Sequence, residues 1–258
     1  MACIGFIGTG NMGRAMIGSL KSKGYKEIIS FDRDIGKLDG LCIRAAKSNS
    51  DVVSKSEMVF ICVKPSDIEA VLKEIKPEIG NRILVSIAAG IKISRMESII
   101  GKKKIVRVMP NTPCLVGEMA AGYSGNKQVS EKELNDVAKI LSSMGEAHRM
   151  PENLLDAVTG LSGSGPAFIA YLIECFASAG RENGLDEKVA YRLALKSFLG
   201  TAKLLEEQGI RPDELIARVS SKGGTTEAGR KILEKSEIKK IISETVKKAT
   251  ERSIELGK

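Results

Sequence analysis

Gly8-Thr9-Gly10-Asn11-Met12-Gly13 follows the apolar run Cys3-Ile4-Gly5-Phe6-Ile7 and leads into an amphipathic stretch. A G-x-G-x-x-G match is weak alone, but between a strand and a helix each glycine acquires a task. Gly8 makes the tight turn, Gly10 lacks the Cβ that would block a pyrophosphate, and Gly13 lets the helix pack against the strand. The helix start then offers free N–H groups and a partial positive charge to phosphate. The segment predicts dinucleotide binding.

The surrounding pattern agrees. Ala2–Ile7, Glu27–Phe31, Met58–Val63, Arg82–Ile87 and Lys104–Val108 read as strands, with helices expected at Met12–Lys23, Ser66–Lys76, Ser94–Ile100 and Glu131–Met144. Short apolar runs alternating with amphipathic stretches imply an α/β fold, a Rossmann-type doubly wound sheet over residues 1–152.

From 153 to 258 the rhythm turns helical, and this half is expected to form an all-helical dimerisation domain. Pro166–Asn183 opens with a proline and is followed by Gly184, a start and a stop for a helix. Its sequence is apolar almost all the way round, so it must be covered on several sides. About one hundred residues of helix offer little cover of their own, so a second copy of the chain is expected to supply the rest, in a homodimer or a higher assembly of dimers. Ser236–Leu256 carries Ile238, Ile241, Ile242, Val246 and Ala249 at helical spacing, opposite its lysines.

Composition excludes several classes of function. One histidine, His148, and five scattered cysteines argue against a metal site, a serine-histidine triad or a disulfide framework. The net charge of +8 is spread over helical faces with only 4% aromatics, which fits a solvated surface that attracts small anions better than a nucleic-acid interface. No tract of membrane-spanning length and no leader pattern stands out, so no membrane partner and a cytoplasmic location are expected.

About twenty residues past the glycine loop, Asp32 ends the second strand; a carboxylate there accepts hydrogen bonds from a ribose hydroxyl and repels a 2′-phosphate. Arg33 could instead pair with such a phosphate. The cofactor is therefore NAD(P)H, with Asp32 tilting the choice toward NADH. Lys64, beside Pro65, falls at the crevice end of the third expected strand, and Asn111 sits between Pro110 and Pro113, which restrict its backbone.

Five further motifs narrow the reading: Cys62-Val63-Lys64-Pro65, Ser86-Ile87-Ala88-Ala89-Gly90, Met109-Pro110-Asn111-Thr112-Pro113, Leu161-Ser162-Gly163-Ser164-Gly165-Pro166-Ala167 and Ser221-Lys222-Gly223-Gly224-Thr225-Thr226. In this order and spacing they resemble pyrroline-5-carboxylate reductase along nearly the whole chain. The resemblance implies reduction of 1-pyrroline-5-carboxylate to L-proline by hydride from NAD(P)H. It places Gly8, Thr9, Gly10, Asn11 and Met12 on the pyrophosphate, with Gly13 closing this cofactor-binding turn, and Asp32 and Arg33 on the adenosine ribose. Asn49, Val63, Lys64, Pro65, Ala88 and Ala89 would line the rest of the dinucleotide, with Asn111 near the nicotinamide.

For the substrate, the resemblance implicates Ser221, Gly223, Gly224, Thr225 and Thr226, with the Gly223 and Gly224 N–H groups expected on the carboxylate and the Thr226 hydroxyl on the ring nitrogen as the catalytic group. Lys222 departs from the proline more usual before the paired glycines. Two rivals remain: a β-hydroxyacid dehydrogenase of the same architecture, whose second-domain lysine is missing from the stretch around Gly180, and a dinucleotide-sensing protein without turnover. The reductase reading expects the glycine-lined turn and the paired-glycine segment to meet around one crevice, within a chain or across two.

Overall fold

The structure is a computed structural model that describes residues 3–257; Ala2, where the first strand was expected to begin, lies outside them. Eight strands form one sheet: β1 (Ile4–Ile7), β2 (Ile28–Phe31), β3 (Arg44–Ala45), β4 (Met58–Ile61), β5 (Ile83–Ser86), β6 (Lys104–Met109), β7 (Met119–Gly125) and β8 (Gly145–Arg149). Their order is β3-β2-β1-β4-β5-β6-β7-β8, and every neighbouring pair is parallel except β6 and β7.

Strands β1, β4 and β5 are buried along their whole length, which is why they read as unbroken apolar runs. Successive residues serve opposite faces. Phe6 and Phe60, stacked at 5.0 Å between ring centroids, join Met16, Leu20 and Val106 in one core, while Ile7, Val59 and Ile61 join Leu72 and Ile75 in the other.

Connecting helices cover both faces: α1 (Asn11–Ser22), α2 (Asn49–Ser54), α3 (Ile68–Ile75), α4 (Ile93–Ile100) and α5 (Glu131–Ser142). The strand order reverses beside β1, whose neighbours are β2 and β4. Ligands of such sheets bind beyond the carboxyl ends of the strands at this switch point.

Helix α6 (Leu155–Val158) runs into a single π-helical turn over Thr159–Gly163. Then come α7 (Gly165–Glu182), α8 (Glu187–Gln208), α9 (Pro212–Val219), α10 (Thr225–Lys235) and α11 (Ile238–Leu256). Gly184, at φ +90°, ends α7 as expected: its N–H donates to the Arg181 carbonyl and that of Leu185 to the Gly180 carbonyl. By compactness the chain divides into one unit up to Pro166 that also takes the chain from Val246 onward, and a second unit, Ala167–Thr245. The last part of α11 thus belongs to the unit that holds the sheet, although the pattern-based division fell at 152.

Candidate active site

Three glycines build the turn after β1, each for a different reason. Gly8 stands at φ +92°, and a Cβ there would lie 2.8 Å from the Cys62 carbonyl oxygen. A Cβ on Gly13 would collide with the Gly8 carbonyl oxygen, whereas one on Gly10 would meet nothing within 4 Å. The first two hold the backbone together, and the third faces open space where a ligand can approach. Gly10 caps α1 without a side-chain bond, so the N–H groups of Asn11, Met12 and Gly13 keep no partner among the described residues.

That space is a cavity of about 340 Å³ lined by Gly8, Gly10, Asp32, Arg33, Asn49, Val63 and Lys64, all anticipated for the cofactor, and also by Lys37. Free N–H donors, three cations and a glycine that leaves the approach clear fit the pyrophosphate of a dinucleotide. Of the other anticipated residues, Thr9 is fully buried, Asn11 is exposed, Met12 is half-buried against the core and Pro65 opens a 3₁₀ turn directly after Lys64. Ala88 and Ala89 follow the carboxyl end of β5, the first of them buried.

The carboxylate of Asp32 is turned back on the loop. Oδ2 accepts the Thr9 N–H at 2.7 Å and Oδ1 the Asp34 N–H at 3.0 Å, with Lys37 Nζ at 3.5 Å. Burial works to raise its pKa, but these two N–H groups and the lysine outweigh it and hold the carboxyl below the usual carboxylate range. Arg33 is exposed and makes no hydrogen bond or ion pair among the described residues. Arg14 of α1 grips the segment beyond it, donating to the Lys37 and Asp39 carbonyls. Asn49 donates to Glu74 Oε2 at 2.7 Å.

Asn111 is buried and its amide is held at both ends: Nδ2 donates to the Ser162 carbonyl at 3.1 Å and Oδ1 accepts the Ala120 N–H at 2.9 Å. It therefore ties the turn after β6 to the π turn. Burial pushes the Cys62 and Cys114 thiols up, Cys114 to about 11, so neither is a thiolate near neutral pH. Among the described residues no group of side chains could hold a metal ion.

In the helical unit, the segment before α10 needs both glycines. Gly223 has φ +75°, and a Cβ on Gly224 would lie 2.6 Å from Ser221 Oγ. Both N–H groups are engaged inside the loop: Gly223 donates to Glu227 Oε2 at 2.7 Å and Gly224 to the Ser221 carbonyl at 3.0 Å. The free donors therefore stand one step further on, at Thr225 and Thr226, whose exposed hydroxyls and N–H groups have no partner among the described residues. Lys222 is exposed beside them.

Sequence reasoning missed Lys37 and Glu227. The first stands four residues after Arg33, a spacing that hinted at a second cation near one phosphate; the second is the third residue of α10, where a carboxylate commonly reaches back to the preceding turn.

Over 99% of its length the chain is 39% identical to the pyrroline-5-carboxylate reductase of Methanosarcina acetivorans, covering 98% of that protein, and over 98% it is 40% identical to that of Aquifex aeolicus, covering 97%. The chain belongs to the pyrroline-5-carboxylate reductase family. Residues 152–256 match the family described as pyrroline-5-carboxylate reductase dimerisation, and residues 3–90 match NADP oxidoreductase coenzyme F420-dependent. The crystal structure of Plasmodium falciparum pyrroline carboxylate reductase with NADP bound superposes with a TM-score of 0.91 at 31% identity, over 100% of this chain and 98% of that one. As a member of this family the chain is an oxidoreductase with a nucleotide-binding domain and a helical domain through which copies associate.

Proposed function

We propose that this chain reduces 1-pyrroline-5-carboxylate to L-proline, the last step of proline biosynthesis, with NADPH as the hydride donor. Residues 1–152 bind the dinucleotide; residues 153–258 bind the substrate and join two copies. The start of α10 carries the substrate half of this reading. There, two unpartnered N–H groups at the positive end of a helix sit beside two free threonine hydroxyls, a set of donors suited to a small carboxylate with a ring nitrogen next to it.

NADPH supplies the hydride when bound, which leaves the protein to orient and to manage one proton. The Thr225 and Thr226 N–H groups hold the substrate carboxylate. The Thr226 hydroxyl hydrogen-bonds the ring nitrogen, orienting the ring and stabilising the proton on that nitrogen, which makes the neighbouring carbon more electrophilic. No histidine or paired acid is needed. The His148 side chain is exposed on the edge strand β8, with its Nε2 3.3 Å from the Glu146 carboxylate.

The choice of NADPH rests on Asp32. Its tilt toward NADH presumed a carboxylate free to take ribose hydroxyls, but both its oxygens serve the loop and its charge is offset by Lys37. Arg33 and Lys37 then line the same cavity as cations suited to a 2′-phosphate. Five free thiols suit a reducing cytoplasm, and no helix among the described residues is long and apolar enough to cross a membrane.

Following NADPH absorbance tests the reading. Consumption is expected with pyrroline-5-carboxylate and not with ketones derived from hydroxyacids; a protein that binds NADPH yet never oxidises it against the cyclic imine overturns the proposal.

A further inference from the structure

A buried ionic cluster lies away from the cofactor cavity. Arg107 of β6, 2% exposed, donates to Asp156 Oδ1 at 2.8 Å and reaches Glu152 Oε1 at 3.4 Å. The same Asp156 oxygen accepts the Ser253 hydroxyl of α11 at 2.9 Å, across 97 residues of chain, and Glu152 Oε1 accepts the Ile93 N–H at the start of α4 at 2.7 Å. A buried pair of this kind adds little net stability, and its value lies in fixing one arrangement.

What it fixes is the end of α11. A Cβ on Gly90 would lie 2.7 Å from the Ser253 carbonyl oxygen and 3.0 Å from the Gly257 nitrogen, and one on Gly160 would collide with Thr250 Oγ1 and lie 2.7 Å from the Val246 carbonyl oxygen. Residues 246–257 thus press backbone to backbone on two segments. One is the loop of Ala88 and Ala89, which Gly90 closes. The other is the π turn, whose Ser162 carbonyl holds Asn111. Arg107 adds a third tie, because its strand ends at Met109, whose Cε fills the place a Cβ on Gly163 would take.

We propose that the last turns of α11 are a brace for the nicotinamide end of the site, and that Ser253 and Asp156 are positioning residues for hydride transfer: they touch neither substrate nor cofactor, and set where the Ala88–Gly90 loop and Asn111 stand. The brace rests on the functional reading above and on the resemblance that sets Ala88, Ala89 and Asn111 along the dinucleotide. Small displacements from remote contacts cost a large factor in rate when reacting atoms must be aligned.

Ser253→Ala removes one donor from Asp156 with no added bulk, and Ser253→Thr keeps the hydroxyl. Two readouts are needed. In the free protein, hydrogen exchange at the amides of Gly90 and of Ala120, the donor to Asn111, is expected to quicken several-fold in Ser253→Ala and to return toward wild type in Ser253→Thr. In turnover, kcat is expected to fall about tenfold with NADPH affinity unchanged and to recover with threonine. Unchanged exchange in Ser253→Ala overturns the brace, as does a kcat that holds or a loss that threonine does not rescue. A wild type that never oxidises NADPH fails the functional reading instead, and the exchange readout still decides the brace.

Discussion

At the end of β2 two neighbouring side chains divide one task. Asp32 spends its carboxylate on the Thr9 and Asp34 N–H groups, which locks the glycine turn to the strand beside it. Arg33 keeps its guanidinium free at the cavity. On the proposed reading, removing Arg33 therefore subtracts a phosphate partner without loosening the loop. Arg33→Ala is expected to raise KM for NADPH roughly tenfold and leave KM for NADH nearly unchanged, since a charge-assisted pair to phosphate is the interaction lost. Equal rises for the two cofactors would show that the phosphate lies elsewhere. Glu227 plays a comparable inward role at the other segment, holding Gly223 in its left-handed turn by one 2.7 Å bond.

Among the elements, α5 shows how much a short local pattern decides. Ser130 Oγ accepts the Glu133 N–H while the Glu133 carboxylate accepts the Ser130 N–H, so both ends of a capping box are closed. Ser130→Ala is expected to cost about 1 kcal/mol of stability, read as a lower denaturant midpoint at an unchanged slope; an unchanged midpoint would remove the cap from the account. The helix itself was legible in the sequence, though its cap was not singled out there, and so were β1, β4, β5 and β6, whose burial writes them as apolar runs. β7 was not, because Met119–Gly125 is small-residue and glycine-rich, and β8 was not, because as an edge strand it is mostly exposed and charged. Two-residue β3 is exposed throughout. In the site, the glycine turn was legible from local spacing. The inward turn of Asp32 and the double tie on Asn111 were not, since each depends on one partner far along the chain, Thr9 at 23 residues and Ser162 at 51, which only the folded chain brings near.

For the whole molecule, Ala167–Thr245 buries only Ala177, Ala190 and Ala194 among its described apolar side chains, while Tyr171, Phe176 and Leu193 are each more than half exposed. Apolar faces left open on this scale fit the association of copies to which the match with the dimerisation family points. Tyr171→Glu is expected to weaken self-association, seen by light scattering as a shift toward monomer; a wild-type chain that is monomeric at working concentration would contradict this. On the proposed function the two ends divide the labour, the glycine-lined cavity serving the cofactor and the start of α10 the substrate. The most direct measurement is NADPH affinity together with turnover of pyrroline-5-carboxylate in Thr226→Ala. Turnover is expected to fall at least tenfold while NADPH affinity stays within about twofold of wild type; an unchanged rate, or a fall matched by lost cofactor affinity, would contradict the account.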